Sequence, residues 1–161
     1  MAFLIFLPFF IQMVVITFDE FYFHVRRGLP KWERVGHPLD TLTVLLCFLF
    51  ALYIPYSPLA LKIYIGLAIF SCVFVTKDEF VHKECCPASE QWLHALLFIN
   101  HPIVLTATGL LWAVIQGVAP EILRDLFVYK EHLHTFLCIQ TGSAALFLSF
   151  QSIYWNVICK E

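Results

Sequence analysis

Asp19-Glu20-Phe21 is followed three residues later by His24, and Asp78-Glu79-Phe80 is followed two residues later by His82. Beyond each stretch the order Pro-x-x-Glu-x-x-x-His recurs, first as Pro30, Glu33 and His37, then as Pro87, Glu90 and His94. Residues four apart share one face of a helix. Glu20 with His24, Glu33 with His37, and Glu90 with His94 therefore each set a carboxylate beside an imidazole. In the second copy Asp78 lies four residues and Glu79 three residues before His82. Aligning the two Asp-Glu-Phe units selects Glu20 and Glu79 as the acids that pair with His, with Asp19 and Asp78 standing behind them.

Carboxylates and imidazoles brought together in this way are metal ligands. Glu20, His24, Glu33, His37, Glu79, His82, Glu90 and His94 make eight donors, too many for one ion and suited to two. Mixed oxygen and nitrogen donors fit iron, manganese or zinc and argue against calcium and magnesium. Helix bundles that hold two irons use Glu from facing helices together with Glu-x-x-His pairs. Glu79 to His82 has that spacing, whereas the other three pairs have three intervening residues. The expectation is two metal ions, iron first, with zinc or manganese as alternatives. Asp40, three residues after His37, is placed to orient it. His101 lies two turns beyond His94 on the same helix face, as a supporting or substrate-contacting group. Pro30 and Pro87 need no chemistry, because proline is at home where a helix starts.

The elements that must carry these residues are apolar. Of 161 residues, 60% are hydrophobic and only 14% charged, and 17 are Phe. That composition predicts an all-α integral membrane protein, since about 20 apolar residues cross the hydrocarbon core. Five stretches qualify: 1–18, 41–61, 59–76, 92–118 and 135–158, with the second and third meeting in a tight turn at Pro55 to Pro58. The chain reads as one membrane domain. Two parallel helix-loop-helix repeats, about 1–57 and 58–118, form a bundle of four helices, and an interfacial segment and fifth helix fill 119–161. The first stretch has no basic residue ahead of it and no small-residue cleavage signal before Asp19, so it reads as a retained span.

Lys and Arg decide the orientation. With five spans, Arg26, Arg27, Lys31, Arg34, Lys77, Lys83 and Lys160 share one face, against Lys62, Arg124 and Lys130 on the other. The N-terminus is then outside and both acidic repeats face the cytoplasm. A formal net charge of −2 offers no basic field for nucleic acid. Six Cys without paired spacing do not form a disulfide framework.

These residues predict a binuclear metal oxidoreductase, di-iron first, with oxidase-, hydroxylase- or desaturase-like chemistry on a lipid or other apolar substrate and electrons from a cytoplasmic donor. A zinc-dependent membrane hydrolase is the first alternative. A metal-ion or proton transporter built on parallel repeats is the second.

Overall fold

The computed structural model describes residues 2–78, 86–127 and 130–159. Among them every regular element is helical. A 3-10 turn, Ala2–Ile5, leads into α1, Leu7–Phe18. A π-helical turn, Asp19–His24, and the short α2, Val25–Arg27, continue the same rod. Then follow α3 (Lys31–Tyr53), α4 (Pro58–Phe74), α5 (Ala88–Ile115), the short α6 (Glu121–Leu126) and α7 (Lys130–Ile153), which ends in a second π-turn, Tyr154–Ile158.

Four helical stretches are long and apolar enough to cross a membrane: Lys31–Tyr53, Pro58–Lys77, Ala88–Ile115 and Glu131–Ile158. They suggest a membrane protein. The first of the five expected stretches does not reach that length as α-helix. Its α1 portion has 12 residues, about 18 Å at 1.5 Å per residue, against a hydrocarbon core of about 30 Å. The rod gains length only by running on into the acidic π-turn.

The helix boundaries follow from local chemistry. Pro30 and Pro87 stand immediately before the first residues of α3 and α5, which puts Glu33 and Glu90 in equivalent first-turn positions. The expected turn between α3 and α4 forms at 54–57. There the Ser57 hydroxyl accepts the Ala60 N–H at 3.0 Å and Pro58 opens the helix. Gly28 follows α2 at φ 75° and ψ 155°, a conformation essentially reserved for glycine. The chain reverses there and lays α2 against the start of α3.

α3 and α5 form the middle of the bundle. α3 packs on α4, α5 and α7, and α5 packs on α1, α3, α4 and α7. Their C-terminal halves meet in an aromatic core. Trp112 is fully buried and donates its indole N–H to the Ile54 carbonyl at 3.0 Å. Phe50, Tyr56 and Tyr64 surround it with ring centroids 5.0–5.7 Å away. Outward positions are also apolar: Ile63, Ile69, Phe70 and Val73 of α4 are all exposed, an arrangement suited to lipid and costly in water.

α4 and α5 touch closely at Gly109, where an added Cβ would lie 2.9 Å from the Tyr64 ring. That ring cannot swing away, because its hydroxyl donates to the Leu105 carbonyl at 2.6 Å. Gly109→Ala is expected to destabilise the bundle by about 1–3 kcal/mol, read as a lower thermal midpoint in detergent. Gly66→Ala, with open space around its Cβ, leaves the midpoint unchanged or raises it.

Candidate metal centre

Four helix ends meet opposite the aromatic core. The end of the α1 rod brings Asp19, Glu20 and His24, the start of α3 brings Glu33 and His37, the start of α5 brings Glu90 and His94, and the end of α7 brings Gln151 and Trp155. Asp19, Glu20, His24, Glu33 and Glu90 are each at most 2% exposed. Unpaired carboxylates at that depth would cost several kcal/mol apiece, so their surroundings decide whether the bundle closes.

The π-turn governs which acids face inward. An α-helix would align His24 with Glu20 alone. The wider π-turn brings the residue five back into line as well, and such turns recur at functional sites. His24 Nδ1 lies 3.4 Å from Glu20 Oε2, and His24 Nε2 lies 3.3 Å from Asp19 Oδ2. Asp19, expected one step behind the ligands, thus stands among them. Its Oδ2 is also 3.0 Å from His94 Nε2, and Glu90 Oε1 is 3.5 Å from His24 Nε2.

Two groups of ligand atoms result: Asp19, His24, Glu90 and His94 form one, and Glu20, His24 and His37 form the other. Within each group the donor atoms lie within 4.8 Å of one another. Bonds of about 2.1 Å to a tetrahedral ion separate neighbouring donors by about 3.4 Å, close to the distances here. A further observation fits a metal. His24 Nε2 is near two carboxylates yet hydrogen-bonds to neither, and the buried Asp19 Oδ1 has no hydrogen-bond partner among the described residues. Buried polar atoms left in this state are ones that a bound ion would satisfy. The donors present therefore fit an ion.

Arg27 supplies charge compensation to both copies of the repeat. Its Nη2 donates to Glu33 Oε2 at 3.1 Å and to Glu90 Oε1 at 2.9 Å, tying the starts of α3 and α5 together. Glu33 is thereby engaged by a guanidinium and belongs to neither ligand group. Glu20 is held from α7: Gln151 donates to its Oε2 at 3.1 Å, the Trp155 indole donates to its Oε1, and the Thr41 hydroxyl fixes Gln151 at 2.8 Å. Nothing in the spacing of the last helix marked Gln151 or Trp155; the second π-turn puts Trp155 there.

Asp40 pairs with Lys77 at 2.6 Å and borders the same cavity as His37. His101 is buried deeper, with Nε2 2.9 Å from the Ser71 hydroxyl, which in turn is 2.7 Å from that of Thr43. The Asp78 side chain and the expected ligands Glu79 and His82 lie outside the described residues. His132 and His134 are exposed.

A cavity of about 300 Å³ opens from the cluster toward His101. Asp19, His37 and His94 form its polar end, and Phe9, Ile16, Val44, Phe48, Phe98 and Phe147 are among its apolar walls.

The fold and the site together define a class: an all-helical protein with four helices able to cross a membrane and a buried His, Asp and Glu cluster able to hold a metal ion. No protein-family model, curated protein or solved structure matches the chain.

Charge balance yields two expectations for metal-free protein. Arg27→Ala removes the guanidinium that spans Glu33 and Glu90 and should cost about 3–5 kcal/mol, partly recovered by added divalent metal. Arg26→Ala, which removes only an exposed guanidinium 4.1 Å from the Tyr22 ring, changes stability by no more than about 0.5 kcal/mol. Denaturant unfolding in detergent measures both.

Proposed function

We propose that the chain is a membrane-embedded metal enzyme that oxidises a lipid-like or other apolar substrate. The observation that carries this reading is the cavity: a chamber with largely apolar walls and candidate metal ligands at one end. In this reading the rod of α1 to α2 serves as the fifth membrane helix, and the first four helices act as two parallel repeats. The N-terminus then lies outside, and the cluster lies at the cytoplasmic interface within reach of an electron donor. Two ions occupy the cluster, iron first.

The residues divide the work. Asp19, His37 and His94 hold the reactive end, while Phe9, Val44, Phe48 and Phe98 bind the apolar body of the substrate and exclude water. About 300 Å³ is the lower end of small-molecule sites, so the chamber takes a ring or a short length of acyl chain. His101, hydrogen-bonded to Ser71, offers a polar contact at the far end. Iron held here supplies dioxygen activation, and zinc in its place supplies a metal-activated water for hydrolysis.

Metal analysis of the purified chain tests the reading together with a cavity variant. Wild type is expected to carry about two ions, and Asp19→Asn with His94→Ala to lose at least one of them. Ala144→Phe narrows the chamber and should abolish binding of an apolar probe while leaving metal content intact. Wild type with less than about one ion per chain after metal supplementation defeats the proposal. Zinc in place of iron moves it to hydrolysis.

A further inference from the structure

The two ligand groups have one member in common. We infer that His24 bridges two inequivalent metal positions, a four-donor position with Asp19, Glu90 and His94 and a three-donor position with Glu20 and His37. We further infer that the three-donor position takes the exogenous ligand. This rests on the metal-centre reading above and adds how the two ions are arranged.

The geometry assigns one ring nitrogen to each side. Nε2 faces Asp19 Oδ2 at 3.3 Å and Glu90 Oε1 at 3.5 Å. Nδ1 faces Glu20 Oε2 at 3.4 Å. These nitrogens point out of different edges of the ring, so a single ion cannot use both. His24 is also wedged between the two other imidazoles. Its ring centroid is 4.6 Å from that of His37, with the rings nearly perpendicular, and 6.2 Å from that of His94. Each neighbour belongs to a different group.

A bridging imidazole donates a lone pair from each nitrogen, so both ring protons must leave to solvent as the ions bind. The charge of the cluster accommodates that loss. Among the described residues, Asp19, Glu20, Glu33 and Glu90 bring four negative charges and Arg27 brings one positive. Two divalent ions and a bridging imidazolate then bring the total to zero. With a single divalent ion and a neutral His24 the same cluster keeps one negative charge, buried in an apolar bundle.

The donor counts differ in consequence. Counted over the described residues, the four protein donors of one position fill a tetrahedral ion, as in structural sites, whereas the three of the other leave a place for water or substrate, as in catalytic ones. His37 of the three-donor group lines the cavity, so the open place adjoins the chamber. Glu20 is also the most firmly supported carboxylate, held by Gln151 and Trp155, and supported ligands bind metal more tightly.

Cobalt(II) titration of the metal-free full chain in detergent tests the arrangement, with optical absorption for coordination and electron paramagnetic resonance for coupling. Wild type should bind about two ions whose signals are suppressed by exchange through the bridge. Glu20→Gln and Asp19→Asn should each retain about one ion and show an uncoupled signal. Azide should shift the cobalt spectrum of wild type and of Asp19→Asn, and leave that of His37→Ala unchanged. His24→Ala should bind at most one ion; circular dichroism reports whether it folds, and the wild-type coupling decides the matter if it does not. Two uncoupled ions in wild type, or two ions retained by folded His24→Ala, overturn the bridge while leaving a metal protein. One ion in wild type overturns it as well. No cobalt bound at all defeats the metal-centre reading itself.

Discussion

Everything at the polar end of this bundle depends on burying four carboxylates among apolar helices. Asp19, Glu20, Glu33 and Glu90 are almost wholly removed from solvent, and no hydrophobic gain offsets such a burden unless positive charge comes with them. That charge comes from Arg27, a single side chain that spans Glu33 and Glu90. The compensation is thin, and a cation entering the cluster would improve it. The same groups that close the bundle therefore form a cluster that could hold a metal ion.

Backbone irregularity serves this end. Two π-turns, Asp19–His24 and Tyr154–Ile158, occur where helices arrive at the cluster. The first rotates Asp19 inward beside Glu20, so two consecutive acids face one site. The second carries the Trp155 indole to Glu20. A regular α-helix in either place would aim one of these side chains elsewhere. Gly28 completes the geometry, since the reversal it permits is what returns Arg27 over the start of α3.

Much of this was legible in the residues. The all-helical architecture followed from apolar run lengths, and the starts of α3 and α5 followed from Pro30 and Pro87. Glu20 with His24 and Glu90 with His94 were named from spacing, and all four fall in the ligand groups. The misses share a physical cause. Four-residue spacing assumes α-helical pitch, so Asp19 was placed behind Glu20 until the π-turn brought it forward. The contact of Arg27 with Glu90 spans 63 positions, and no local rule reports it. Gln151 and Trp155 sit in an apolar helix whose pattern describes lipid-facing and packing residues equally well. Long-range partners of this kind become visible only when helices are assembled.

The polar and aromatic ends also depend on each other. Ligand groups are useful only when held to within about half an ångström, and helix ends are the least constrained parts of a bundle. Here the constraint comes from the opposite end, where Trp112, Tyr64 and Phe50 lock α3, α4 and α5 together, and where Trp112 is tied to the α3–α4 turn. Rigid helices carry that fixity to Glu33, His37, Glu90 and His94, one helix length away. The space between the two ends is the cavity, bounded by the same helices that position the ligands. A bundle tightly packed at one end, charged at the other and hollow between has the order of parts that the proposed chemistry on an apolar molecule would use: a wall to grip it, a chamber to dry it, and a polar end to receive it.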